Sequence, residues 1–284
     1  MKVNTRTFEG FDGVRISATE AGKEGAQPVL LAHGGGQTKR AWRGTLDALA
    51  HEGFHAIAVD LRGHGESSWS DSGDYHLTSF GKDLLAVARS LSQKPALVGA
   101  SLGGLAGLAA EGVVQPGSFS SLTLVDVTPR METAGTDRIR NFMIKNLLEG
   151  FGSLDEAADA IADYMPGRKR RGPSDGLKHY LRQKDDGRFY WHWDPAFMLK
   201  RNEARSMETS ELEQAAASLK LPVHLVRGGS SDVVSVEGAE HFQKLVPHAR
   251  YSDITDAGHM VAGDRNDAFS DAIVTFLKDS AQAG

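Results

Sequence analysis

Ser101 is the centre of Gly99-Ala100-Ser101-Leu102-Gly103, which matches the pattern G-x-S-x-G. This pattern is typical of a sharp turn between a strand and a helix that lifts a serine hydroxyl above the edge of a sheet. Glycine two positions on either side of the serine permits the turn, because β-carbons there would collide. An apolar run precedes the motif and a helical pattern follows it. The sequence therefore predicts that Ser101 is a nucleophile.

A second glycine-rich stretch supplies what a serine nucleophile would need. His33-Gly34-Gly35-Gly36 follows an apolar run and precedes a predicted helix. Acyl transfer places negative charge on one oxygen, which two fixed backbone N–H groups stabilise. We expect the N–H of Leu102 to be one donor and the N–H of Gly35 to be the other, with Gly34 as the alternative. A phosphate-binding loop is disfavoured, because its lysine and second glycine are missing.

His259 is the predicted general base, because the hydroxyl needs a base that titrates near neutrality. It comes last in the order Ser…Asp…His that is usual for this kind of site. Two aspartates could accept the N–H of its other ring nitrogen and so fix the orientation of the ring. Asp126 stands at a predicted strand tip, and Asp232 stands in a loop after the next strand. We favour Asp126, since a strand tip orients a carboxylate better than a flexible loop does, and keep Asp232 as the alternative. His33 and His64 are interpreted as residues that shape loops by hydrogen bonding.

These residues lie between alternating short apolar runs and helix-like segments, a pattern that indicates parallel βαβ units. Strands are predicted within 28–36, 55–65, 95–101, 121–129, 222–229 and 249–260, after an N-terminal hairpin that turns at Asp12-Gly13. The alternation stops between residues 130 and 219, where helical stretches and many charges occur without a buried strand. We therefore predict a core of residues 1–129 and 220–284, and an inserted helical cap over residues 130–219.

Length, charge and amino-acid composition limit the classes of protein to which the chain can belong. The 284 residues can bury a large core, and 40% hydrophobic with 24% charged residues is ordinary for a soluble protein. A net charge of −5 gives no indication of a nucleic-acid partner. The absence of cysteine excludes disulfides and thiolate chemistry. No apolar signal core or membrane-spanning run is visible, so we expect a cytoplasmic protein without membrane association.

With these motifs in place, the sequence resembles the α/β-hydrolase fold superfamily. The likeness rests on HGGG, DLRGHGES (60–67), GASLGG and DAGH, in that order, and covers everything outside the insertion. It implies an eight-stranded, mostly parallel sheet with a helical lid after the sixth strand. In most members the acid follows the seventh strand, which would be Asp232. In some esterases it lies on an IDIAP-like sixth strand, which VDVTP around Asp126 resembles. Serine at position 101 argues against epoxide hydrolases and haloalkane dehalogenases, which use aspartate there.

The predicted function is hydrolysis of an ester-like bond, a carboxylic ester or lactone, through an acyl-enzyme and without metal or organic cofactor. The aromatic cluster at 189–194 suggests an apolar or aromatic small-molecule substrate, with Trp42, Trp191 and Trp193 as candidate walls. The competing interpretation, which we favour for these rings, is that they only bind the lid to the core. Alternatives are a hydrolase of C–C or amide bonds, a cofactor-free perhydrolase, and a small-molecule receptor with slow turnover. A monomer or a homodimer is expected.

Overall fold

Ten strands are present in the computed structural model, which describes residues 3–164, 177, 180–199, 207–255, 257–259 and 266–282. They are β1 (Asn4–Glu9), β2 (Arg15–Ala21), β3 (Pro28–Ala32), β4 (His55–Val59), β5 (Ala96–Ala100), β6 (Ser121–Val125), β7 (Leu181–Gln183), β8 (Phe189–Trp191), β9 (Val223–Gly228) and β10 (Arg250–Ile254). Eight of them form one sheet in the order β1-β2-β4-β3-β5-β6-β9-β10. From β4 to β10 all neighbouring strands are parallel, while β2 is antiparallel to both β1 and β4. The predicted eight-stranded, mostly parallel sheet is confirmed.

Nine α-helices are described in the same parts of the chain. They are α1 (Arg43–His51), α2 (Leu77–Arg89), α3 (Leu102–Ala109), α4 (Thr133–Ile144), α5 (Leu154–Tyr164), α6 (Pro195–Leu199), α7 (Thr209–Ser218), α8 (Val236–Leu245) and α9 (Asn266–Gln282). None of them is long and apolar enough to span a bilayer.

The core lies on both faces of the sheet, because the central strands are buried along their whole length. Successive side chains of a strand point to opposite faces. On one face Leu31 of β3 belongs to a buried cluster with Leu46 of α1 and Phe269 of α9. On the other face Leu30 belongs to a cluster with residues of α2, α3 and α8, including Phe242. Full burial of such a side chain contributes about 1.5–3 kcal/mol, so this double cover holds the strand ends of the site rigidly.

The N-terminal hairpin turns where the sequence predicted. Asp12 and Gly13 both have positive φ angles, of 60° and 73°. Two consecutive residues with positive φ are what the tight turn of a hairpin requires, and aspartate and glycine tolerate it best.

The insertion between β6 and β9 differs in content from the predicted helical cap. Besides α4–α7 it contains an antiparallel hairpin of β7 and β8. Strands of three residues are too short to show a period of alternation, so the hydrophobic pattern could not predict them. In addition, α7 packs on the sheet domain: a β-carbon at Gly112, after α3, would lie 2.8 Å from the β-carbon of Ala215. A separate cap over residues 130–219 stays a prediction, and positions 165–176, 178–179 and 200–206 of it lie outside the described residues.

Candidate active site

Ser101 occupies the turn between β5 and α3 in a strained conformation. Its φ is 45° and its ψ is −113°. A residue with a side chain rarely adopts positive φ, and such strain costs about 1–3 kcal/mol, which the surrounding structure must offset. Here the N–H of Ser101 donates to the carbonyl of Val125 at 3.1 Å, and the N–H of Gly103 donates to the carbonyl of His33 at 3.1 Å. These bonds fix the turn to the ends of β6 and β3.

Both flanking glycines of the motif are required by close backbone contacts. A β-carbon at Gly99 would lie 2.5 Å from the carbonyl of Gly103. A β-carbon at Gly103 would lie 2.3 Å from the carbonyl oxygen of Ala32, at the end of β3. The small residues therefore permit the turn that holds the serine above the sheet edge, as the sequence predicted.

Asp126 and His259 meet at this edge. Oδ2 of Asp126 lies 2.7 Å from Nδ1 of His259. Asp126 is fully buried, and its Oδ1 accepts a hydrogen bond of 2.9 Å from the N–H of Gly228. Since Ala100 pairs with Val125 across β5 and β6, Ser101 and Asp126 leave neighbouring strands at the same level. The structure thus brings the favoured aspartate, the histidine and the serine turn to one edge of the sheet.

Asp232 lies elsewhere. Its carboxylate forms an ion pair with Arg138 of α4 at 2.7 Å, and its side chain is 43% exposed. The pair is exposed on both sides, so it is worth about 1 kcal/mol or less. The alternative acid is therefore held by the insertion rather than by His259.

The glycine loop lies directly beside Ser101. A β-carbon at Gly34 would be 3.3 Å from the β-carbon of Ser101. The N–H of Gly34 donates to Oε1 of Gln37 at 2.9 Å, so it is already occupied. The carbonyl of Gly34 accepts from the N–H of Gln37 at 3.1 Å and faces Nδ1 of His33 at 2.7 Å. The Gly34 carbonyl and the Gly35 N–H belong to the same trans peptide, so they point in opposite directions, and the Gly35 N–H points away from Gln37 and His33.

The two predicted oxyanion donors have no hydrogen-bond partner in the part of the chain that the structure describes. Neither the Gly35 N–H nor the Leu102 N–H is bonded to a described residue, and both remain the predicted donors.

Three buried histidines surround this loop. His33, His64 and His192 have ring centroids 5.3 Å and 5.9 Å apart along the row. Burial lowers the pKa of His33, lowers that of His64 well below its usual value, and lowers the pKa of His192 to about 4. Each ring is therefore neutral near pH 7, and each has both nitrogens bonded to backbone groups. His33 and His64 shape loops, as predicted. Among the described residues, neither these rings nor any other three histidine, aspartate or glutamate side chains are placed so that they could hold a metal ion.

The insertion supplies an apolar wall next to Gly35. A β-carbon there would lie 3.7 Å from the ring of Phe197 in α6 and 3.8 Å from the sulfur of Met143 in α4. Both side chains are buried. The glycine loop is therefore flanked by apolar side chains on the side of the insertion.

The three tryptophans that were predicted to line the substrate site lie mainly in the hydrophobic core. Trp42 is 1% exposed and belongs to the cluster on the α1 and α9 face, with its ring centroid 6.0 Å from that of Phe269. The prediction that Trp42 lines the substrate site is therefore not supported, because it packs on the far face of the sheet from α4 and α6. Trp191 and Trp193 are buried and stacked, with centroids 4.7 Å apart. Of the two, Trp193 lies beside the loop, 3.4 Å from a β-carbon at Gly36.

Two residues of the site were missed by the sequence analysis. The hydroxyl of Ser231 donates to Oδ2 of Asp126 at 2.6 Å. His192, from the insertion, contacts the glycine loop through the carbonyl of Gly36 at 3.2 Å. Neither carries a sequence signal of its own, since Ser231 stands in an ordinary turn sequence and His192 is hidden among aromatic residues.

Comparison with known proteins agrees with this fold. The profile of the family described as alpha/beta hydrolase fold matches residues 27–265. The esterase Rv0045c of Mycobacterium tuberculosis is 30% identical over 257 residues, which cover 88% of this chain and 82% of the relative. Its solved structure superposes with a TM-score of 0.77, at 28% identity, over 98% of this chain and 92% of that one. The 2-hydroxy-6-oxo-6-(2'-aminophenyl)hexa-2,4-dienoic acid hydrolase of Metapseudomonas resinovorans is 26% identical over 296 residues, covering 96% of this chain and 91% of the relative.

The sheet order, the serine turn and the matched family define the class of protein. The chain belongs to the α/β-hydrolase fold family, and it is a hydrolase.

Proposed function

We propose that the protein is a serine esterase that cleaves a carboxylic ester or lactone of a small, apolar or aromatic substrate through an acyl-enzyme. The observation that carries the proposal is the 2.7 Å contact between Asp126 and His259 at the sheet edge that also holds the strained Ser101. The likeness to the mycobacterial esterase supports the same reaction class.

Acylation uses these groups in fixed roles. With Nδ1–H of His259 bonded to Asp126, the other ring nitrogen, Nε2, is free to accept the proton of the Ser101 hydroxyl. The serine oxygen forms a bond to the substrate carbonyl carbon, and the carbonyl oxygen becomes an oxyanion. The N–H groups of Leu102 and Gly35 stabilise that charge, and each such donor is worth about 3–4 kcal/mol. The C–O bond to the leaving group then breaks, and the leaving oxygen takes the proton from His259.

Deacylation repeats the sequence with water. His259 accepts a proton from the water as its oxygen attacks the acyl carbon, and it returns the proton to the Ser101 oxygen when the ester bond breaks. The same two N–H donors stabilise the second oxyanion. No other proton carrier is needed.

The substrate class follows from the wall beside the oxyanion loop. Gly35, the predicted donor, is flanked by Phe197 and Met143, which offer an aromatic ring and a flexible thioether to a substrate bound beside it. Such surfaces favour apolar groups, because burial removes them from water without stranding a polar atom.

Hydrolysis of a C–C bond is the second candidate. The relative from Metapseudomonas resinovorans hydrolyses a 2-hydroxy-6-oxo-6-(2'-aminophenyl)hexa-2,4-dienoic acid, a substrate whose name includes no ester. At 26% identity, this likeness supports C–C hydrolysis as the second candidate. A serine nucleophile, a histidine base and an oxyanion site serve either bond, and the leaving group decides between them.

The test is covalent labelling followed by turnover. Wild-type protein treated with a fluorophosphonate should gain one adduct on the peptide that contains Ser101, and Ser101→Ala should gain none. The wild type should hydrolyse p-nitrophenyl esters of short acids, and Ser101→Ala should lose at least about 10³-fold in kcat. Undiminished turnover by Ser101→Ala would refute the proposal. Labelling with turnover of a vinylogous 1,5-diketone but not of esters would favour the C–C reaction.

A further inference from the structure

We propose that His64 and His192 are positioning residues for the oxyanion loop, and that His192 makes the inserted segment part of that loop's support. The two rings hold opposite backbone groups of Gly36. The N–H of Gly36 donates to Nε2 of His64 at 3.1 Å, and Nε2–H of His192 donates to the carbonyl of Gly36 at 3.2 Å. The proposal rests on the proposed function, because it assigns a role to residues around the Gly35 donor.

Three consecutive glycines need such support. Glycine loses more conformational freedom on ordering than any other residue, and Gly34–Gly36 has no side chain that could pack the loop in place. Gly36 also has a φ of 74°, in the left-handed region. An oxyanion donor acts by preorganisation, so a loop that moves by about 1 Å loses much of its effect on the transition state.

The bonds present hold the loop on either side of the donor. Gly34 is held by Gln37 and His33, as described above, and Gly36 is held by His64 and His192. The Gly36 N–H belongs to the peptide that follows Gly35, so its bond to His64 fixes the plane on that side. Only Gly35, between the two supports, keeps its backbone groups without a partner among the described residues.

His192 is fixed by its own element. It follows β8, and its Nδ1 accepts a hydrogen bond of 2.8 Å from the N–H of Gly65. The same hairpin region is attached to the loop after β4 by two further bonds, from Arg182 to the carbonyl of Gly65 at 2.8 Å and from the N–H of Asp194 to the carbonyl of Gly63 at 2.8 Å. The insertion thus contacts both the loop that carries His64 and the glycine loop itself.

The neutral state of the rings makes these bonds directional. A neutral imidazole has one donor and one acceptor nitrogen. His192 accepts at Nδ1 and donates at Nε2, while His64 donates at Nδ1 to the carbonyl of Arg62 and accepts at Nε2. Asparagine reaches about as far as Nδ1, and glutamine reaches about as far as Nε2. The chain therefore offers matched pairs of variants that separate the bond to Gly36 from the other bond of each ring.

The experiment compares His192→Asn with His192→Gln, and His64→Asn with His64→Gln. His192→Asn keeps the bond to Gly65, and His64→Asn keeps the bond to Arg62, but both lose the bond to Gly36. The two glutamine variants keep the bond to Gly36 instead. Kinetics on a p-nitrophenyl ester give kcat and KM. Inhibition by a trifluoromethyl ketone measures affinity for a tetrahedral adduct, which uses the oxyanion donors.

The asparagine variants should lose about 10- to 100-fold in kcat with KM within about twofold, because the loop acts on the transition state and not on the bound substrate. Affinity for the trifluoromethyl ketone should fall by the same factor. The glutamine variants should stay within about threefold of wild type in both measurements.

Equal kcat in the asparagine and glutamine variants, or a change confined to KM, would overturn the assignment. Circular dichroism and thermal melting decide whether each variant is folded. If His192→Asn does not fold, the His64 pair decides, and unfolding of both asparagine variants would also overturn the proposal, since the bonds would then be needed for folding only. Failure of the esterase proposal would look different, because wild-type protein would then lack the Ser101 adduct.

Discussion

The hydroxyl of Ser231 donates a hydrogen bond of 2.6 Å to Oδ2 of Asp126, the same carboxylate oxygen that lies 2.7 Å from Nδ1 of His259. That hydroxyl also accepts from the N–H groups of Val233 and Val234, both at 3.1 Å. The loop after β9 therefore contributes to the site through its serine, while the neighbouring Asp232 faces outward to Arg138. Ser231, which bonds to buried Asp126, and Asp232, which faces the surface, are adjacent in the chain.

Asp126→Asn should lower kcat by about ten-thousand-fold. The N–H of Gly228 holds Oδ1, so the new amide N–H₂ would face Nδ1 of His259 and force the ring into the tautomer with its proton on Nε2. That tautomer cannot accept the serine proton. Asparagine tolerates the φ of 49° at this position, so the fold should persist.

Asp232→Asn is the matched control for this variant. It removes only a half-exposed ion pair, so activity should stay within about threefold and stability within about 1 kcal/mol of wild type. Steady-state kinetics on a p-nitrophenyl ester measure both variants. A large loss in Asp232→Asn together with an active Asp126→Asn would reverse the assignment of the acid.

Gly103→Ala should damage the site more than an average glycine substitution. The added methyl group would lie 2.3 Å from the carbonyl oxygen of Ala32, so the serine turn and the end of β3 must separate. Overpacking of this kind costs about 1–3 kcal/mol, and a shift of about 1 Å in the turn costs about 100-fold in rate. Gly152→Ala is the control, because its nearest neighbour is the flexible carboxylate of Glu156 at 3.2 Å. Urea denaturation and kcat measured on both variants check this, and equal behaviour would contradict it.

Protein stability should fall as the pH drops below about 6.5. Burial lowers the pKa of His192 to about 4 and that of His224 to about 3, whereas both titrate near 6.5 in the unfolded chain. Between those values the unfolded state binds more protons, so the free energy of unfolding decreases as pH falls. The stabilisation is complete above the unfolded pKa and is lost progressively towards pH 4 and then pH 3.

His224→Gln isolates one of these groups. Glutamine cannot take up a proton in this range, and its amide can replace the bond of His224 to Ser252 at 2.9 Å. The difference in unfolding free energy between pH 7 and pH 4.5, measured in urea, should shrink by about 2.5 kcal/mol relative to wild type. His51→Gln, at an exposed position, should leave that difference unchanged. A His224→Gln protein with the full wild-type pH dependence would contradict the prediction.

Trp191→Phe should destabilise the protein more than Trp193→Phe, although both remove the same volume from one stacked pair. The indole N–H of Trp191 donates to the carbonyl of Lys145 at 3.2 Å, and that bond is lost. The indole N–H of Trp193 has no partner among the described residues, so its removal strands nothing. A difference of about 1–3 kcal/mol in urea denaturation is expected. Equal losses would show that volume alone decides.

Much of the prediction of the fold and of the candidate site rested on local sequence motifs. The Ser101 turn, the glycine loop at 34–36 and the strands around them are set by short-range sterics, which a sequence displays directly. The choice between Asp126 and Asp232 could be argued from their positions relative to strand ends. It depends, however, on how the loop after β9, about 100 residues further along the chain than Asp126, orients Ser231 and Asp232. The short hairpin of β7 and β8 gave no periodic signal at all.

The sequence by itself determined the alternating α/β architecture, the strained serine turn and the glycine loop beside it, because each depends on residues adjacent in the chain. Only the tertiary structure decided which carboxylate contacts His259, that Trp42 packs on the other face of the sheet, and that His192 reaches Gly36. Those contacts join residues between about 130 and 230 positions apart, or depend on which face of a sheet an element covers. Packing of separate layers, which no local pattern encodes, brings them together.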